Sequence, residues 1–85
     1  MEVTFLPEAI DDLTYWQKTG NKSTLKKISQ LTEAILESPY KVIGKPEPLK
    51  HDLSGKWSRR INQVDRYVYK VESGQLVVYS LKGHY

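Results

Sequence analysis

The sequence predicts an α+β fold, with a helical hairpin packed on one face of a largely antiparallel four-stranded sheet in the order β-α-α-β-β-β. Two segments with apolar residues at helical spacing adjoin each other, separated only by Gly20-Asn21. Three β-rich runs close the chain, the last two joined by Ser73-Gly74, a hairpin-type turn. A short alternating run, Glu2-Val-Thr-Phe-Leu6, opens it as a strand.

Pro7 suits a first helical turn, and Leu6, Ile10, Leu13 and Trp16 follow at helical spacing, with Asp11 and Asp12 turned outward. Gly20-Asn21 ends that helix. A second helix over residues 22–37 puts Leu25, Ile28, Leu31, Ile35 and Leu36 on one side and Lys22, Lys26, Lys27, Gln30 and Glu33 on the other. Ser38-Pro39 stops it, because the residue before a proline is pushed out of the helical region. Residues 39–55 contain Pro39, Gly44, Pro46 and Pro48, yet Val42, Ile43, Leu49 and Leu53 punctuate them, so they read as an ordered loop without internal secondary structure. Strands follow over residues 57–63, 66–72 and 75–82. Eighty-five residues predict one domain, 1–85.

Cysteine is absent, which excludes disulfides, thiolate metal sites and cysteine nucleophiles; two histidines are too few for a histidine metal cage. No basic-apolar leader and no membrane-length apolar run is present, so a soluble cytoplasmic protein with no membrane partner is expected. The net charge of +3 is unevenly spread. Residues 1–40 carry four Lys against six acids, while residues 41–85 carry nine Lys/Arg against four. The basic half also holds Trp57 and most of the tyrosines, an electrostatic outline that suits nucleic acid. Arg66, Val68 and Lys70 share one strand parity and Tyr67, Tyr69 and Val71 the other, which predicts a basic, aromatic open face forming a shallow groove.

The segment from Gly44 to Ile61, with the closing His84-Tyr85, offers what cleavage of RNA by its own 2′-hydroxyl requires: a base, cations for the crowded phosphorane, and an acid for the departing 5′-oxygen. Glu47, braced between Pro46 and Pro48, is the candidate base. Arg66 opens a strand, where a guanidinium can reach a phosphate with two donors. Lys50, Arg59 and Arg60 serve equally as phosphate clamps or as solvated charge, and strand neighbours point to opposite sides, so one arginine of the pair is expected to face the groove. His84 and His51 compete as the acid, since imidazole titrates near neutrality. Tyr85 can stack on a base or bond a phosphate. Gly83, just ahead, is expected to leave the tail mobile.

The stretch Lys45-Pro-Glu-Pro-Leu-Lys-His51, then Leu53-Ser-Gly55, Trp57-Ser-Arg-Arg-Ile61, Arg66, Tyr69 and His84-Tyr85, with Asp12, Tyr15-Trp16 and Lys26-Lys27-Ile28 earlier, resembles the YoeB-type mRNA interferase toxins of the RelE superfamily over nearly the whole chain. The resemblance implies a RelE-like fold and a ribosome-dependent endoribonuclease that cuts mRNA in the decoding site of the 70S ribosome without metal or other cofactor. It implies Glu47 as general base, Arg66 as phosphate stabiliser and His84 as general acid. Lys50, Arg60 and Tyr85 position the substrate and His51 supports the loop. It further implies silencing by an acidic antitoxin of the YefM/Phd type and a tendency to dimerise. Two alternatives stand beside it: a non-catalytic module that inhibits by occluding RNA or ribosome, and a toxin of the same fold acting on a protein.

Overall fold

The computed structural model describes residues 1–39, the backbone of 47–48, and 55–83. Strand β1 (Glu2–Phe5) leads into helices α1 (Pro7–Lys18) and α2 (Lys22–Glu37); β2 (Glu47–Pro48), β3 (Trp57–Arg60), β4 (Arg66–Glu72) and β5 (Gln75–Ser80) follow. The sheet order is β1-β5-β4-β3-β2. Every pairing is antiparallel except β1 with β5, which puts Phe5 beside Val78 in a parallel register. The expected four strands are all present. The two-residue β2 adds a fifth at the edge, inside the segment expected to lack secondary structure.

The hairpin forms where the sequence punctuates it. Gly20 takes φ +68°, a conformation that costs a residue without Cβ little. Asn21 then caps α2, its Oδ1 accepting the Thr24 N–H at 3.1 Å. Thr24, Ile28, Leu31 and Ile35 form the buried face of α2, as its spacing requires. On α1 the expected face is rotated. Ala9 and Trp16 are buried with Leu13 packed alongside, whereas Ile10 is 51% exposed. Asp12, expected outside, turns toward the sheet: its Oδ2 accepts the Leu81 N–H at 2.9 Å. These helical residues meet Tyr67, Tyr69, Leu76, Val78, Leu81 and Ile61 in one core.

Two strand ends fall short of expectation. β3 stops at Arg60 because Ile61 to Asp65 form a turn organised by Asn62, whose Oδ1 accepts the N–H groups of Val64 and Asp65 at 2.8 and 2.7 Å. Such an Asx arrangement offers the backbone partners that compete with a ladder. β5 stops at Ser80 because Leu81 leaves the sheet for α1, its N–H bonded to Asp12 and its carbonyl accepting the Trp16 Nε1–H at 2.9 Å.

Candidate active site

Register decides which side chains reach the face of the sheet away from the helices. Arg59 pairs with Tyr67 and Trp57 with Tyr69, and both tyrosines lie in the helix-side core. The alternate set, Ser58 opposite Val68 and Arg60 opposite Arg66, lies on the other face, where Ser58 and Val68 are buried, Arg66 is half-buried and Arg60 is exposed. Lys70 follows Arg66 and Val68 on that face, close to Glu72 (Nζ to Oε1 3.4 Å). Lys56 sits 4.2 Å over the ring of Tyr79. The face away from the hairpin therefore carries cations as expected, but it is not open throughout, since Ser58, Val68 and Ser80 at its centre are buried. It lacks Tyr67 and Tyr69, which are fully buried under the hairpin.

Arg59 corrects the sequence reading most sharply. It is 0% exposed and no longer a candidate for RNA contact. Its Nε donates to the Tyr69 hydroxyl at 3.2 Å and its Nη2 to the Ser38 carbonyl at 2.6 Å, while the Tyr69 hydroxyl itself donates to the Pro39 carbonyl. A cation at the C-terminal end of α2 also meets the negative end of the helix dipole. Arg59 thus ties β3 to the exit of α2, at the entrance to the proline-rich segment. Arg60 is exposed on the other side. Of the two arginines, only Arg60 is exposed to solvent.

Arg66 is half-buried, with Nη1 3.4 Å from the Ser58 Oγ. Ser58 is the residue whose backbone pairs with Glu47. One interstrand spacing, about 4.8 Å, therefore separates the Glu47 backbone from the serine on which Arg66 rests. The Arg66 N–H donates to the Gly83 carbonyl at 2.8 Å, so the chain reaches its last two residues beside that arginine. Register thus brings together the backbone of Glu47, the guanidinium of Arg66 and the residue before His84. The side chains of Glu47, Lys50, His51, His84 and Tyr85 lie outside the described residues.

Two features escaped the sequence reading. Arg60 stands directly across from Arg66; like charges at facing positions destabilise a sheet and suit a surface that receives an anion. Asp65, next to Arg66 in the chain, is buried, and its Oδ1 accepts the Gly83 N–H at 2.8 Å. An acid immediately before a key arginine is a signal that could have prompted the search for a partner.

This arrangement of hairpin and mixed sheet is a known toxin fold. YafQ from Escherichia coli strain BL21(DE3) superimposes with a TM-score of 0.81 over 98% of this chain and 92% of its own, at 15% identity, which speaks to architecture alone. A model of the YoeB-like toxin of bacterial type II toxin–antitoxin systems matches residues 5–85. Toxin YoeB of Streptomyces coelicolor is 45% identical over the full length of both chains. A YoeB/ParE toxin from Agrobacterium tumefaciens covers both chains completely at 38% identity and a TM-score of 0.94. YoeB from Staphylococcus aureus, in a structure of its complex with YefM, is 42% identical over 100% of this chain and 98% of that one, with a TM-score of 0.90. The chain belongs to the YoeB toxin family of type II toxin–antitoxin systems.

Proposed function

We infer that this protein is a ribosome-dependent endoribonuclease that cuts mRNA in the decoding site and so blocks translation. Glu47 takes the proton from the 2′-hydroxyl, whose oxygen attacks the adjacent phosphorus. Arg66 holds the non-bridging oxygens as negative charge accumulates on the phosphorane. The bond to the 5′-oxygen breaks, and that oxygen takes a proton from His84. The products are a 2′,3′-cyclic phosphate and a 5′-hydroxyl, with no atom or electron unaccounted for. Lys50, Arg60 and Tyr85 grip the flanking phosphate and base, and His51 supports the loop. Neither metal nor organic cofactor enters these steps.

The single observation behind this reading is the convergence on Arg66. Its side chain rests on the serine paired with Glu47, and its amide bonds the residue preceding His84. The cross-strand Arg60 adds a second cation to the same face. A partner of the YefM type follows from the S. aureus complex, and self-association from a solved dimer of the same relative. The acidic tail of such an antitoxin would meet the basic face by charge complementarity.

The test is the mapping of mRNA 5′ ends on purified ribosomes. Wild type is expected to generate cleaved ends, and Glu47→Ala, Arg66→Ala and His84→Ala each to slow cleavage by at least about 10²-fold, the loss typical of a removed acid, base or oxyanion donor. Cutting at the wild-type rate by all three would refute the assignment. Growth arrest that persists in Glu47→Ala without new 5′ ends would point instead to inhibition by occlusion.

A further inference from the structure

The last residues of the described chain are held by more than the sheet. Leu81 is fixed to α1 at both polar backbone atoms, by the Asp12 carboxylate and the Trp16 indole. Gly83 is fixed in the same way on the other side: its N–H goes to Asp65 Oδ1 at 2.8 Å, and its carbonyl accepts the Arg66 N–H at 2.8 Å. Gly83 has φ +82°, and the backbone freedom of glycine lets it bend into this clamp.

Asp65 is itself immobilised. Its Oδ2 accepts from Asn62 Nδ2 at 3.0 Å, and its backbone carbonyl accepts the N–H groups of Ile61 and Asn62 at 2.9 and 3.3 Å. It is only 9% exposed. A buried carboxylate so engaged has little freedom to turn, and it places its second oxygen on Gly83. His84 is the next residue, and consecutive Cα atoms are about 3.8 Å apart. The described chain is thus anchored at Gly83, against the amide of Arg66.

We propose that Asp65 is a positioning residue for RNA cleavage: by clamping the Gly83 amide against the start of β4, it fixes the point from which His84 and Tyr85 approach the scissile phosphate. This rests on the assignment of His84 as general acid. Asp65 touches no substrate. A displacement of the acid by about 1 Å is enough to cost two orders of magnitude in rate.

The clamp and the reaction are tested by separate readouts on the intact protein. Asp65→Ala is expected to abolish the slow hydrogen exchange of the Gly83 amide while leaving the circular dichroism of the fold in place. On ribosomes it is expected to lower the single-turnover cleavage rate about ten- to hundredfold with the half-saturating ribosome concentration unchanged. In a His84→Ala background the same change should cost no more than about twofold, because the group it positions is gone. The paired exchange Asn62→Asp with Asp65→Asn is the rescue. The carboxamide oxygen at position 65 can still accept the Gly83 N–H, while its NH2 group donates to the carboxylate now at position 62. Both exchange protection and rate are expected to return to within about threefold of wild type. Asp65→Asn alone sets two NH2 groups against each other and should fall between; it serves if the alanine variant does not fold.

Wild-type Gly83 protection in Asp65→Ala overturns the clamp, whatever the protein cuts. Loss of protection with cleavage within twofold of wild type overturns the positioning role. Failure of the paired exchange to restore either readout overturns the hydrogen bond as the cause. If His84→Ala itself cuts like wild type, the assignment of the acid has failed and the positioning role falls with it, while Gly83 exchange still decides whether the clamp exists.

Discussion

Replacing Arg59 by methionine keeps the reach of the side chain and removes every donor. In the folded protein that guanidinium is fully buried and donates to the Ser38 carbonyl and the Tyr69 hydroxyl. Tyr69 keeps its own bond to Pro39, so the more serious loss is at Ser38, whose carbonyl forfeits this donor at the end of α2. A hydrogen bond from a charged group contributes about 1.5–3 kcal/mol, and a buried polar group left without it costs about 1–3 kcal/mol. Methionine escapes the desolvation of a charge, which offsets part of the loss. The net cost is expected to be roughly 2–4 kcal/mol, a large share of the total stability of so small a domain. At about 4–8 °C per kcal/mol for a chain of this size, Arg59→Met should melt roughly 8–32 °C below wild type. Arg60→Met, exposed on the opposite face, should stay within about 0.5 kcal/mol yet weaken ribosome binding in a salt-dependent way. Thermal melts of both variants by circular dichroism decide the matter. An Arg59→Met protein that melts with wild type but fails to bind RNA would refute the structural role and return Arg59 to the substrate surface.

Other outcomes follow from single residues. Burial pushes the Tyr67 phenol up to about 12 from its ordinary 10.0, with the Thr32 hydrogen bond opposing. The unfolded chain therefore gives up this proton first, so the contribution is intact below pH 10 and is lost as pH rises toward 12. About half of a total on the order of 3 kcal/mol, roughly 1.4 kcal/mol, should be lost by pH 11 and absent in Tyr67→Phe, as urea titrations at pH 8 and pH 11 will read. Gly74, at φ +72° with open space where a Cβ would stand, should tolerate alanine sterically and pay for the backbone alone. Gly74→Ala is expected to cost about 1–2 kcal/mol in the same assay, and a neutral result would show that the turn relaxes.

Much of the fold could be read in one dimension because it rests on local periodicity. The apolar positions of α2 repeat with the helical period, and the face they define is the face that is buried. Gly20-Asn21 and Ser73-Gly74 are local turn chemistry and sit where the chain turns. α1 was harder. Ala9 and Ile10 are neighbours on a short helix, and periodicity alone could not say that the small residue would lie against the sheet while the larger one met solvent. The pairing of Glu47 with Ser58 was likewise hidden, because two ladder pairs leave no pattern in a segment of prolines.

By itself, then, the sequence determined the order of elements, the hairpin, the basic second half and the residue types suited to RNA cleavage, all of which depend on neighbours within a few positions. Tertiary structure alone decided which of two adjacent arginines is a core strut and which a surface cation, and that the aspartate before Arg66 serves Gly83. Register across strands and contacts between residues as far apart as Asp12 and Leu81 settle such questions. A side chain's partner, unlike its period, is set by where the rest of the chain comes to lie.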